Sequence, residues 1–398
     1  MNSERVEQLK QLMDSKNLDA LVLSMPGHIN MVSGVWPMTN GLTGCILPRE
    51  CRPLCIVPHC ERIEAEDSVW DAAVAEIKFG VLDAPDYADE FDRTVKKFAA
   101  ANGLRRIGTD MGVESFASAW NPAEINFFHG SRQTSLERIF GKEAVCDISA
   151  ELSKVKQVKN EFEIDQIRRA NEIACMGIQR FVKMVRPGVS GLELRTAVES
   201  VIALEGTGHR GARRVRAFAQ ISTGSEETCL GFRPMLDSTT RKMKAGDTAM
   251  LELAVVVDGY WADRTETVVA GEANERQKKV CALIKQAQAA VIAGLKPGIT
   301  CAEADTLARD IFTAAGYGKH FVHITGHCVG FQYHDPGPFL MPGNDTVLQA
   351  GTVVTVEPGV YIEGFGGIRF EEDVVVTGGG GQVLGPRLNN AVKQGSSQ

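Results

Sequence analysis

The sequence predicts an α/β (α+β) chain, with a smaller N-terminal α/β domain over residues 1–155 and a larger C-terminal domain over residues 156–398. Three observations point to this. Strand-like and helix-like segments alternate as far as about Asp147. A long amphipathic helix pattern opens at Asn160. Beyond it, two helix pairs of the same outline are each followed by β-rich runs.

The whole chain sets the bounds. Its 398 residues suffice for two or three domains. Apolar residues make up 44%, enough for a sizeable core. With 43 basic and 50 acidic residues, the net charge of −7 argues against a nucleic-acid partner, which needs a basic surface. The run Arg210, Arg213, Arg214, Arg216 is the one local exception, and reads as a solvated face or a substrate-side cluster. The N-terminus is charged at once and has no apolar h-region, so no signal peptide is expected. No stretch of 18 apolar residues occurs, so no membrane span is expected. Ten cysteines without framework spacing fit a reduced, cytoplasmic protein.

In the N-terminal part, residues 4–17 read as a helix and LDALVLSMP as a strand entering a loop. Residues 43–57 read as a hairpin around Pro48-Arg49-Glu50. DYADEFDRTVKKFAAAN reads as a helix and RRIGTD as a strand. The group Cys45, Cys51, Cys55, His59 and Cys60 could be a zinc site. Its alternation reads more simply as two strands that use cysteine as a small buried residue. No Gly-x-Ser-x-Gly, phosphate loop or dinucleotide fingerprint is present.

In the C-terminal part, Ile164, Ile167, Ala170, Ala174, Ile178, Phe181 and Val185 recur at helical spacing, and Pro187-Gly188 stops the helix. GLELRTAVESVIALEG follows as a second helix. NERQKKVCALIKQAQAAVIAGL and CAEADTLARDIFTAAG repeat the pair, with PGIT where the first pair has PGVS. An internal duplication, or shared helix-stop chemistry, would explain this.

The chemistry collects in three segments. In MLELAVVVDGYWADRTETVV, Asp258-Gly259 is a strong hairpin signal. It would set Val257 opposite Tyr260, Ala254 opposite Asp263 and Glu252 opposite Thr265. Glu252 and Asp263 then share a face as diagonal neighbours, roughly 7–8 Å apart at the backbone. They are either two solvated carboxylates or a pair with a cation between them. In FVHITGHCVGFQYHDPGP, three of the chain's eight histidines, His323, His327 and His334, fall within twelve residues. In TVVTVEPGVYIEGFGGIRFEEDVVVT, Glu357 ends an apolar run, and Arg369, Glu371 and Asp373 share one strand face. Carboxylates at the ends of apolar strands are costly unless paired or metal-bound. Four carboxylates and one imidazole suit two divalent ions such as Mn, Co, Zn or Fe.

These segments resemble the creatinase/aminopeptidase P family, the pita-bread metallohydrolases that include Xaa-Pro dipeptidase (prolidase) and Xaa-Pro aminopeptidase. The resemblance rests on VKNEFEIDQIRRANEIA, DGYWADRTETVV, HITGHCVGFQYHD, EPGVY and GIRFEEDVVVT, and spans nearly the whole chain. It implies a pita-bread C-terminal domain, a creatinase-type N-terminal domain and a homodimer. It puts Asp263, His327, Glu357 and Glu371 on metal-ligand positions, with Glu252 on the position of the first ligand. His323 and His334 fall on substrate-binding or transition-state positions. Arg369 falls on the arginine that supports the carboxylates, and Glu357 is also a candidate general base.

Two departures accompany the resemblance. The first ligand is normally an aspartate in an Asp-x-Gly context, where this chain has Glu252 in Glu-Leu-Ala. Family members commonly carry a histidine where this chain has Gly231. The leading expectation is a metal-dependent hydrolase cleaving before proline in dipeptides or short peptides. The alternative is a non-peptidase C–N hydrolase or lyase for a small molecule, of creatinase or ectoine-hydrolase type. A catalytically silent binding module is the third.

Overall fold

A computed structural model describes residues 2–39, 42–111, 130–230 and 239–386. Gly231 therefore lies outside the described residues. The chain divides into two compact units, one of described residues up to Lys156 and one from Gln157 onward.

The first unit is built on one sheet. Its strands are β1 (Ala20–Leu23), β2 (Gly44–Pro48), β3 (Leu54–Pro58), β4 (Ala73–Ile77), β5 (Ile107–Thr109) and β6 (Val145–Asp147), in the order β4-β3-β2-β1-β5-β6. β2 runs antiparallel to β1 and β3, and the other pairs are parallel. Every residue of β1, β2 and β3 is buried, as expected of apolar runs in a sheet covered on both faces. The helix Tyr87–Ala101 is opened by the Asp86 carboxylate, which accepts from the backbone N–H of Asp89, and it lays Phe91 and Val95 into the core with Val22, Ile46 and Ile56. The hairpin read at residues 43–57 is β2–β3, with Cys45 opposite Cys55 and their sulfurs 3.8 Å apart. Of the other cysteines in that group, Cys51 is half-buried and Cys60 exposed.

The second unit repeats one construction. The helices Glu161–Met184 and Gly191–Val201 form the first pair, and Glu275–Gly294 and Cys301–Ala314 the second. All four open with a capping box: Asn160 with Glu163, Ser190 with Glu193, Asn274 with Gln277, and Thr300 with Glu303. Each box satisfies two otherwise orphaned backbone N–H groups. The first pair packs on a sheet of β7 (Val215–Thr223), β8 (Thr248–Val257) and β9 (Tyr260–Val269). β10 (Gly326–His327) and β11 (Phe339–Leu340) form a short ladder. The second pair packs on β12 (Val353–Val356), β15 (Glu372–Thr377) and β16 (Gly380–Val383), while β13 (Gly359–Ile362) pairs with β14 (Gly366–Arg369).

Two apolar cores result, one under each helix pair. In the first long helix, Ile167, Ala170, Ala174, Ile178 and Phe181 are buried as their spacing requires. Ile173 joins them, and Ile164 and Val185 at the ends stay half-buried. Each isoleucine buried here contributes about 1.5–3 kcal/mol.

The Asp258-Gly259 turn is formed as read, with φ of +49° and +88°. The register pairs Val257 with Tyr260, Ala254 with Asp263 and Glu252 with Thr265. Left-handed backbone at a non-glycine residue carries a strain cost. At Asp258 it is offset by the side chain, whose carboxylate accepts from the Arg214 N–H at 2.9 Å and pairs with Arg169 at 2.9 Å. Nearby, Arg210 is engaged within the chain by Asp165 and Glu172. No described helix is long and apolar enough to cross a membrane.

Candidate metal centre

The hairpin β8–β9 brings two carboxylates to one face, and the strand ends around β12, β14 and β15 bring two more. Glu371 is tied to β9 by its own N–H, which donates to the Thr265 carbonyl at 3.0 Å. Arg369, one turn of pleat earlier, exchanges hydrogen bonds with the Thr267 hydroxyl. Glu357 follows β12 directly, and its N–H donates to the Thr325 carbonyl at 2.9 Å. That bond fixes it beside the histidine segment. His327 reaches the same place because Gly326 lets β10 run against the chain at Thr355. A Cβ at Gly326 would lie 1.9 Å from the Thr355 carbonyl oxygen, inside any van der Waals contact.

Three overlapping sets of donor atoms result, each within 4.8 Å: Asp263, His327 and His334; His327, Glu357 and Glu371; Glu252, Asp263 and Glu371. Asp263, His327, Glu357 and Glu371 are buried, while Glu252 and His334 are half-buried and form the solvent side of the cluster.

The orientation of His327 is informative. Its Nδ1 lies 3.1 Å from the Cys328 carbonyl, an acceptor only, so Nδ1 carries the proton. In the neutral ring, Nε2 then presents a lone pair. It faces Asp263 Oδ2 at 3.3 Å and Glu357 Oε1 at 3.7 Å. A lone pair and two carboxylates converging in a buried space call for a positive charge between them, a proton or a metal cation. Glu371 Oε1 is buried in the same space with no hydrogen-bond partner. The chain's own electrostatics agree. Burial, and then the neighbouring Glu371, push the Glu357 carboxyl well above the usual range. Burial holds His327 below the usual imidazole value and His334 well below it, the latter aided by His327. Left to itself the cluster sheds charge, and a divalent cation would reverse that preference.

The remaining predicted residues sit around this centre in different ways. The His334 ring lies 4.3 Å from that of His327, so it joins the donor set and does not stand apart. His323 belongs to none of the three sets. Its Nδ1 bonds the Ile324 carbonyl at 2.7 Å and its Nε2 the Tyr361 hydroxyl at 2.8 Å, so it reaches the cluster through Tyr361. Arg369 bonds the same hydroxyl at 3.2 Å, bonds Thr265 Oγ1 at 3.0 Å and pairs closely with Glu252. Glu252 is thus doubly engaged. It belongs to one donor set, yet its oxygens also meet Arg369, the Tyr333 hydroxyl and, at 3.1 Å, Thr265. Sequence reading did not single out Thr265, Tyr333 or Tyr361. Thr265 was legible as the partner of Glu252 in the hairpin register, and Tyr361 as a hydroxyl within EPGVY.

Comparison with known proteins bears directly on this centre. Residues 165–378, more than half of the chain, match the profile of Metallopeptidase family M24. The chain belongs to that family. Residues 5–125 match the Creatinase/Prolidase N-terminal domain. A curated Xaa-Pro dipeptidase of Pyrococcus horikoshii is 27% identical over 382 residues, 96% of this chain and 97% of the relative. Among solved structures, the Xaa-Pro dipeptidase from Bacillus anthracis is 25% identical with a TM-score of 0.78, covering 98% of this chain and 99% of that one. The X-Pro aminopeptidase from Thermotoga maritima is 25% identical with a TM-score of 0.77, covering 96% and 98%. The M24 fold is therefore present: a creatinase-type N-terminal domain and a pita-bread C-terminal domain. Family membership makes the chain a metallopeptidase-type hydrolase and implies divalent metal ions, which the donor atoms fit.

Proposed function

We propose that this M24 member is an Xaa-Pro peptidase that hydrolyses the bond before proline in dipeptides or short peptides. The observation that carries the reading is His327 Nε2 directed at Asp263 and Glu357 while Nδ1 bonds the Cys328 carbonyl. The relatives named Xaa-Pro dipeptidase support the substrate class. Residues 156–398 carry the chemistry in this reading, and residues 1–155 form the accompanying domain.

Asp263, His327, Glu357 and Glu371 would hold one divalent ion, and Glu252, Asp263 and Glu371 a second, each Mn, Co, Zn or Fe. When bound, such ions polarise the scissile carbonyl and lower the pKa of water. The protein's own part is proton handling and orientation. Glu357, buried within the cluster, takes the proton of the attacking water and returns it to the proline nitrogen. His334 shares a donor set with Asp263 and His327 but is assigned to neither ion in this reading; from the solvent side of the cluster it donates to the oxyanion of the tetrahedral intermediate. Arg369 pairs with Glu252 and donates to the Tyr361 hydroxyl, which His323 also holds. A cytoplasmic homodimer is the assembly this reading adopts.

A second reading has its own observation. Glu252 stands where the family has a shorter aspartate, and it is held by Arg369 and Tyr333. A site altered there suits a small non-peptide C–N substrate. The test is a panel of Xaa-Pro dipeptides beside small amidine and ring substrates, with and without chelator. Chelator-sensitive turnover of the dipeptides supports the first reading. Turnover of only the small molecules supports the second.

A further inference from the structure

Lys159 immediately precedes the capping box of the first long helix, and none of the chemistry above uses it. Its side chain is fully buried, as is that of Asp335, and Nζ lies 2.9 Å from Asp335 Oδ2. The same nitrogen lies 3.0 Å from Cys328 Sγ. Cys328 is the residue after His327, and Asp335 the residue after His334. One ammonium therefore grips both ends of the segment that carries the two imidazoles.

The backbone between those ends is closed in the same way. The Asp335 N–H donates to the Cys328 carbonyl at 2.9 Å, the carbonyl that also takes His327 Nδ1. The Phe331 ring lies beneath the ammonium at 5.9 Å. Gly330 makes the closure possible, with a φ of +142°. A Cβ there would sit 2.6 Å from Ile167 Cδ1 and 3.0 Å from Lys159 Cε. The loop is thus folded tightly over the lysine stem. A buried charge pair is a costly way to hold a loop, and an apolar pair of similar volume would hold it as well or better. What the charge adds is direction, because a three-donor ammonium fixes two acceptors relative to each other.

We propose that Lys159 is a positioning residue that sets the spacing of His327 and His334, acting on the first through Cys328 and on the second through Asp335. The two arms have separable consequences. Weakening the Cys328 arm loosens His327, a metal donor. Weakening the Asp335 arm displaces His334, which faces substrate. The inference rests on the peptidase reading for His334, and on the donor set alone for His327.

The test titrates metal-stripped protein with Mn²⁺ by calorimetry and measures kcat and KM on an Xaa-Pro dipeptide. The variants are Cys328→Ala, Asp335→Asn and the charge-neutral double variant Lys159→Met/Asp335→Asn. Cys328→Ala keeps the ion pair, and the double variant leaves no buried charge unpaired, so both retain a foldable interior. Expected are a tenfold weaker Mn²⁺ affinity for Cys328→Ala and a tenfold lower kcat for Asp335→Asn, with its Mn²⁺ affinity within threefold of the parent. The double variant shows both losses. Folded variants whose Mn²⁺ affinity and kcat all stay within twofold of the parent overturn the proposal. A parent protein that binds Mn²⁺ but turns over no dipeptide overturns the peptidase reading and the His334 arm, leaving the Cys328 arm to be judged on affinity. A parent that binds no Mn²⁺ overturns both arms.

Discussion

Arg369 and Glu252 form an ion pair at the rim of the donor cluster, with the Tyr333 hydroxyl on the other carboxylate oxygen. The guanidinium is buried and the carboxylate half-buried. Arg369 therefore competes with any cation for Glu252. The donor set of His327, Glu357 and Glu371 does not include that carboxylate.

Glu252→Gln should for this reason separate the two candidate ions. Elemental analysis after dialysis against a chelating resin should fall from two ions per chain to one. The remaining ion should bind within about threefold of its parent affinity, since the set His327, Glu357 and Glu371 does not include Glu252 and the glutamine carbonyl still accepts from one of the donors around it. Loss of both ions would place Glu252 in the tighter site.

Glu357→Gln removes the proposed proton carrier and keeps its shape. Values of kcat should drop by about 10²–10⁴, the usual contribution of a positioned general base, with a smaller change in KM. Stopped-assay turnover of a dipeptide at saturating metal checks this. A kcat within tenfold of the parent would assign the proton to another group.

His323 provides a pH dependence that does not involve turnover. Burial pulls its imidazole down to about 4 from an ordinary value near 6.5. The unfolded chain thus takes up a proton first as pH falls. Stability is fully present above about 6.5, declines as pH falls from there to about 4, and levels off below, by at most about 3 kcal/mol. Urea unfolding of metal-free protein between pH 4 and 7 measures the slope. His323→Gln, which keeps a donor for the Ile324 carbonyl, should flatten it. An unchanged slope in that variant would move the dependence to other groups.

Much of this was legible along the chain because it follows from short-range rules. The Asp258-Gly259 turn fixed a register, and the register placed Glu252 and Asp263 on one face. Apolar spacing located the first long helix, and Asn160 with Glu163 its start. The histidine and glutamate segments were legible as chemistry because charge at the end of an apolar run has to be compensated. Less legible was His323. Its spacing from His327 matches a second active imidazole, yet Tyr361, 38 positions later, and the adjacent Ile324 carbonyl occupy both nitrogens.

The sequence by itself determined the main helices and strands of the second unit, the hairpin register and which carboxylates and imidazoles to weigh as donors, since turn chemistry, side-chain alternation and capping act over a few residues. Only the tertiary structure decided which atoms meet. The ring orientation of His327, the pairing of Arg369 with Glu252 and the grip of Lys159 on Asp335, 176 positions away, depend on how separate strands and loops pack. Sequence spacing carries no distance between residues so far apart, and it is those distances that set the charge and orientation of the site.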